Sequence, residues 1–210
     1  MINLYIPSRV VQVSLCRVLF RVRFEGRGRT PATGPVILAP NHRSLVDIPL
    51  AAFATRRPVR YLAKRELFEH PLMRWYLVNS RVIKVDRAGN DRAALRAVQD
   101  ALEAGDVVGI FPEGTRGSGP VLGPVFDGVA YLALRTGAPI VPVGIAGSEA
   151  IFVPGGRLPH LPRIAVVAGE PIMVERREAT VRRSEAAALT DRLRAELQAC
   201  FDRARVIAAA

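Results

Sequence analysis

The strongest constraint on this chain is a rhythm. Short apolar runs flanked by glycine and proline alternate with stretches whose apolar residues recur at helical spacing. Val36–Ala39, Val59–Ala63, Val82–Val85, Val107–Phe111, Ile140–Val143 and Ile164–Ala168 read as strands. Ile48–Ala54, Leu67–Val78, Asp91–Ala104 and Gly128–Thr136 read as helices, and a last one from about Val181 carries Leu189, Leu193, Leu197 and Phe201 on one face. The clearest of these is Asp91–Ala104, where Asn90 can cap the start, Leu95, Val98 and Leu102 form a stripe, and Gly105 suits the stop. Strands alternating with helices predict an α/β fold, a largely parallel sheet flanked by helices.

The chain has 210 residues, enough for one domain with a sizeable core. Half of it is hydrophobic, which excludes a wholly disordered chain. Residues 1–25 are set apart as an amphipathic segment, and residues 26–210 hold the rest of the domain. From Ser8 to Val22, Val11, Leu15, Val18, Leu19 and Val22 recur at helical spacing, with Ser14, Arg17 and Arg21 on another side. That pattern admits two readings: the apolar face packs on the domain, or it lies in a membrane interface with arginines towards lipid phosphates. No run of 18 or more apolar residues exists, so no segment is expected to span a membrane, and the first twenty residues do not read as a signal peptide. Cys16 and Cys200 sit among apolar helical residues near opposite ends, and two thiols form neither a disulfide framework nor a zinc site. Thirty basic residues against nineteen acidic give a net charge of +11, almost all from arginine because lysine occurs only at Lys64 and Lys84. Such a surface suits phosphate-bearing ligands, an anionic membrane or nucleic acid. Aromatics are only 6%, and no stacking motif, zinc-finger spacing or helix-turn-helix is evident, so nucleic acid is not the expected partner.

Chemistry in an α/β sheet gathers beyond the carboxyl ends of the strands. The run Val36–Ala39 leads straight into Pro40-Asn41-His42-Arg43-Ser44-Leu45-Val46-Asp47. His42 there can act as a general base. Pro49 argues against helix through this stretch, so Asp47 is expected as the N-cap of the next helix, with His42 in the loop before it. A loop can fold back so that the Asp47 carboxylate accepts from one imidazole nitrogen and leaves the other free for a proton. Equally, His42 can be a polar loop residue and Asp47 only a cap. With no Gly-x-Ser-x-Gly elbow and no nucleophilic cysteine in sight, a base at His42 would activate a hydroxyl belonging to the substrate.

A second constellation follows Val107–Phe111: Pro112-Glu113-Gly114-Thr115-Arg116-Gly117-Ser118-Gly119. Glycines allow an anion close to the backbone, Thr115 offers a hydroxyl and Arg116 can grip phosphate in bidentate fashion. Glu113 suits bracing an arginine or accepting from a substrate hydroxyl. This turn is not a P-loop, because the Gly-Lys-Ser/Thr ending is absent. Asp86-Arg87 follows the run Val82–Val85, either as a third cationic contribution or as a solvated turn.

Taken together, these blocks resemble the glycerolipid acyltransferases, the lysophosphatidic acid acyltransferase family, over roughly residues 35–172. Asn41-His42 and Asp47 match that family's Asn-His-x4-Asp block. Lys64 and Glu66-Leu67-Phe68 resemble the segment after it. Val85-Asp86-Arg87 matches the end of the second block, Phe111 to Arg116 the third, and Pro139-Ile140-Val141-Pro142-Val143 resembles the fourth. The resemblance implies a mixed sheet flanked by helices. It also implies His42 as the base, Asp47 orienting it, Arg87 and the Glu113-Gly114-Thr115-Arg116 loop binding the acceptor's phosphate end, and Arg43 and Ser44 lining the same pocket. An acyl thioester (acyl-coenzyme A or acyl carrier protein) would be the donor and a phosphorylated lipid the acceptor, with no cofactor and no metal. The alternative is the same chemistry on another lysophospholipid or a glycolipid. The setting it implies is the cytoplasmic face of an anionic membrane, which strengthens the interfacial reading of Ser8–Val22 and of Leu67–Val78 with Trp75 and Tyr76. Two departures bear on acceptor identity: Arg81 stands where the second block opens with glycine, and Asp127 stands where a lysine is common before Gly128.

Overall fold

A computed structural model describes residues 5–85, 92–152 and 160–210. The elements run α1 (Tyr5–Leu19), β1 (Arg23–Glu25), β2 (Val36–Pro40), α2 (Asp47–Ala51), β3 (Val59–Lys64), α3 (Pro71–Asn79), β4 (Ile83–Val85), α4 (Arg92–Glu103), β5 (Val107–Gly109), α5 (Gly128–Thr136), β6 (Ile140–Ala146), β7 (Ala165–Ala168) and α6 (Arg183–Ala209). The seven strands form one sheet in the order β1-β7-β6-β2-β5-β3-β4. Every pairing is parallel except β6 with β7, so the sheet is mixed and largely parallel, as expected.

β2 lies in the middle, with Val36 beside Val107 and Ile37 beside Ile140. Because side chains alternate across a strand, Val36 and Leu38 join a core with α1 and α2, while Ile37 and Ala39 join one with α4 and α5. Cover on both faces is why these strands read as unbroken apolar runs rather than alternating ones. α6 packs over β6 and β7 through Leu197, Cys200, Phe201 and Ala204. Both cysteines are buried and free, as small hydrophobes.

Several boundaries move. The expected strand Val107–Phe111 ends at Gly109, because the chain turns there into the loop that carries Glu113. The helix expected over Leu67–Val78 splits into a 3-10 turn, Arg65–Phe68, and α3, which starts at Pro71 as proline favours. β1 was not visible in the sequence: three residues hold no period. Asn90 lies outside the described residues.

The α1 helix forms, and its packed face is not the apolar stripe. Tyr5, Cys16 and the following Phe20 are buried with Val13 beside them, whereas Val11, Leu15 and Val18 are 64%, 55% and 76% exposed. Among the described residues no helix is long and apolar enough to cross a membrane.

Candidate active site

β2 delivers the chain to the carboxyl edge of the sheet, where Asn41 stops it from running on. The Asn41 amide donates from Nδ2 to the Ile145 carbonyl (3.0 Å) and accepts at Oδ1 from the Ile145 N–H (2.6 Å), imitating a strand partner in side-chain form. The chain is thereby free to turn at His42. Asp47 follows at the start of α2, but it does not cap that helix: Val46 holds the cap position and no side-chain cap bond forms. The carboxylate instead turns back on the loop. Its Oδ2 accepts from the Arg43 and Ser44 N–H groups (2.5 and 2.6 Å) and lies 3.1 Å from His42 Nδ1. The expected N-cap role is therefore replaced by a clamp on the turn. The fold-back expected between Asp47 and the imidazole is present. With Nδ1 facing the carboxylate, Nε2 is the ring nitrogen left to take a proton. The imidazole also stacks on Phe111, centroid to centroid 4.2 Å.

The loop after β5 meets this turn from the other side. Glu113 Oε1 accepts from the His42 backbone N–H (2.9 Å), and Oε2 accepts from Arg43 Nη1 (3.0 Å) and the Gly123 N–H (3.0 Å). The Gly117 N–H donates to the His42 carbonyl (2.9 Å). Arg43 and Glu113 are buried, their side chains 1% and 2% exposed. Glu113 thus braces an arginine, one of the two roles open to it in the sequence. Ser44 is buried as well. None of Arg43, Ser44 and Glu113 reaches the pocket wall; all three stand behind it.

The pocket itself is a cleft of about 1240 Å³ along the carboxyl ends of β3, β4 and β5. His42, Gly114, Thr115 and Arg116 line its mouth, together with Lys64 and Glu66. Leu95 and Val98 of α4 and Val129 and Leu132 of α5 form an apolar wall further along. Neither Lys64 nor Arg116 has an acidic partner among the described residues, so both cations face the cleft uncompensated. Arg87 lies outside the described residues.

The two departures sit elsewhere. Arg81 Nη2 pairs with Asp106 (3.3 Å), immediately before β5 and so at the amino edge of the sheet, opposite the cleft. Asp127 Oδ1 accepts from Thr190 Oγ1 of α6 (2.8 Å) and does not line the cleft. The expectation that these two departures bear on acceptor identity is not supported by where they stand. Sequence reasoning missed the roles of Asn41, Gly117 and Phe111, and it assigned Lys64 no part. Lys64 was signalled by its place at the end of an expected strand; the other three depend on contacts across long sequence separations.

Comparison with known proteins shows the family and the fold. The family model described as Acyltransferase matches residues 21–146. The chain is 29% identical over 152 residues to the 1-acyl-sn-glycerol-3-phosphate acyltransferase of Bacillus subtilis (strain 168), covering 72% of this chain and 73% of that protein. It is 32% identical over 135 residues to the Pseudomonas aeruginosa protein of the same name, covering 61% of this chain and 51% of that one. Against the chloroplastic LPAT1 acyltransferase of Arabidopsis thaliana it is 27% identical and spans only 44% of that protein's length. The crystal structure of the LPA acyltransferase PlsC from Thermotoga maritima superposes with a TM-score of 0.72 at 23% identity, covering 93% of this chain and 79% of that one, which shows a shared fold. The matched region takes in the His42 turn and the Gly114–Arg116 loop at the cleft, and on that ground this chain is an enzyme of the acyltransferase family.

Proposed function

We propose that the chain moves a fatty acyl group from an acyl thioester to the free hydroxyl of a lysophosphatidic-acid-type acceptor, in phospholipid biosynthesis. The observation that carries this reading is His42 at the cleft wall, 3.1 Å from a fully buried Asp47. As the acceptor hydroxyl attacks the thioester carbonyl, His42 Nε2 takes its proton. The new ester C–O bond forms, the C–S bond breaks, and the thiolate leaves with the proton returned from the imidazolium. Asp47 holds the ring in the tautomer that leaves Nε2 open, as a carboxylate does in hydrolytic triads. No cofactor or metal enters this scheme.

Arg116 with Thr115 and Gly114 suits the acceptor's phosphate, and Lys64, without an acidic partner among the described residues, adds a second cation to the same cleft. The wall of Leu95, Val98, Val129 and Leu132 suits an acyl chain. The names carried by the relatives point to the same acceptor. Arg87 joins the phosphate end through the family resemblance alone.

The enzyme acts as a peripheral protein at the cytoplasmic face of an anionic membrane. In support, the exposed stripe of α1 stands beside α3, where Leu72, Met73 and Trp75 are also exposed. Gln12 Nε2 donates to Tyr76 Oη (2.7 Å), tying these two helices to each other.

The test is thiol release from palmitoyl-coenzyme A with and without 1-acylglycerol-3-phosphate, in wild type and His42→Ala. Acceptor-dependent release should fall by about 10²–10⁴-fold in the variant. A folded His42→Ala protein with near-normal turnover overturns the assignment.

A further inference from the structure

We infer that Arg43 and Glu113 are positioning residues that hold the His42 main chain in place, and that neither is a substrate ligand. This rests on His42 being the base.

The peptide unit of His42 is held from both directions. Its N–H donates to Glu113 Oε1, and its carbonyl accepts from the Gly117 N–H and from Arg43 Nη1 (3.2 Å). Arg43 also donates from Nη2 to the Val121 carbonyl (3.2 Å), and its guanidinium lies over the Phe201 ring at 4.9 Å. A single buried ion pair therefore joins the base-bearing turn, the loop that carries Glu113, the Val121–Gly123 segment and α6. A buried pair of this kind contributes little net stability, because desolvation offsets the attraction. Arg43 Nε is even buried without a partner. What the pair does supply is geometry.

Gly117 belongs to the same device. A Cβ there would fall against Arg43 Nη1 and within 2.8 Å of Glu113 Oε2, so any side chain at Gly117 presses on the pair. The arrangement also links the Arg116 loop mechanically to the base. Phosphate seated at Arg116 and proton transfer at His42 share one framework.

The test compares Glu113→Gln, Gly117→Ala and Arg43→Lys with wild type. In Glu113→Gln the amide can still accept from the His42 N–H, but its NH2 faces the Arg43 and Gly123 donors. A small displacement of a reacting group costs on the order of 10²-fold in rate. The expected result is kcat lowered by roughly 10–100-fold in Glu113→Gln and Gly117→Ala, with acceptor KM unchanged. Arg43→Lys, which keeps the charge but not the fork, should lie between these and wild type. Raised acceptor KM at unchanged kcat makes Glu113 a substrate ligand and overturns the inference, as does kcat at the wild-type level. A second readout does not depend on turnover. The chain has only three histidines, so the ring signals of His42 in a histidine-labelled NMR spectrum are assigned by their loss in His42→Ala. In Glu113→Gln and Gly117→Ala these signals should shift while those of His70 and His160 stay. Unmoved His42 signals overturn the inference even if wild type proves inactive on every acceptor, and that inactivity would instead count against the proposed reaction.

Discussion

Arg81 shows what residue identity alone conceals. It adopts φ 58°, the left-handed region, where a side chain costs about 1–2 kcal/mol relative to glycine. Its carbonyl accepts from Arg60 Nε (3.1 Å) and its guanidinium pairs with Asp106. A glycine would adopt this backbone conformation without strain, and Arg81 stands far from the cleft. Arg116 is the opposite case, at the cleft wall with no acidic partner among the described residues. Steady-state kinetics should separate them: Arg116→Ala raises KM for a phosphorylated acceptor, and Arg81→Gly leaves it alone. An equal rise in both variants would return Arg81 to the acceptor site. The sequence displayed His42, Asp47 and the Glu113–Arg116 loop because their spacing follows expected strand ends. It hid the division between wall and support, since Arg43 and Arg116 look alike until burial distinguishes them.

At the scale of elements, α1 is the instructive failure of periodicity. The apolar stripe was legible, but the side that docks is chosen by polar groups. Arg9 Nη2 donates to the Ala52 and Thr55 carbonyls, and the Tyr5 hydroxyl accepts from the Val59 N–H (2.7 Å). Buried backbone groups flanking the 3-10 turn Ala52–Ala54 and at the start of β3 need partners, and α1 supplies them. That requirement outranks burying Val11, Leu15 and Val18, which stay outside. A triple Val11→Ser, Leu15→Ser, Val18→Ser variant should keep a melting temperature close to wild type, as surface changes do, while losing co-sedimentation with lipid vesicles. Retained vesicle binding would remove α1 from the interface. α6 offers a second case. A Cβ at Gly144 would collide with the backbone of Cys200, so the helix lies almost directly on β6.

Across the whole molecule, the net charge of +11 has too few acids to neutralise it. Its attraction to an anionic surface should fade as salt shortens the Debye length, to about 8 Å at physiological ionic strength. Flotation with anionic vesicles should therefore weaken steeply between low and high salt, and with zwitterionic vesicles it should change little. Binding to anionic vesicles that ignores salt would assign the contact to apolar insertion alone. Fold class was readable because parallel strands buried on both faces leave unbroken apolar runs, whereas the meeting of distant loops left no local trace. That distance also sets the order of assembly. The bond from the His42 N–H to Glu113 spans 71 residues, and the Asn41 bond to Ile145 spans 104. Closing such long segments costs chain entropy that no local contact refunds, which slows folding. During synthesis the His42 turn emerges early with its Asp47 bonds close in sequence, and its bonds to Glu113 and, through Asn41, to Ile145 follow only as those segments appear. The tie of this turn to β6 is thus a late feature of a nascent chain, and a chain halted before Ile140 holds the Asp47 clamp without the Asn41 bonds to Ile145.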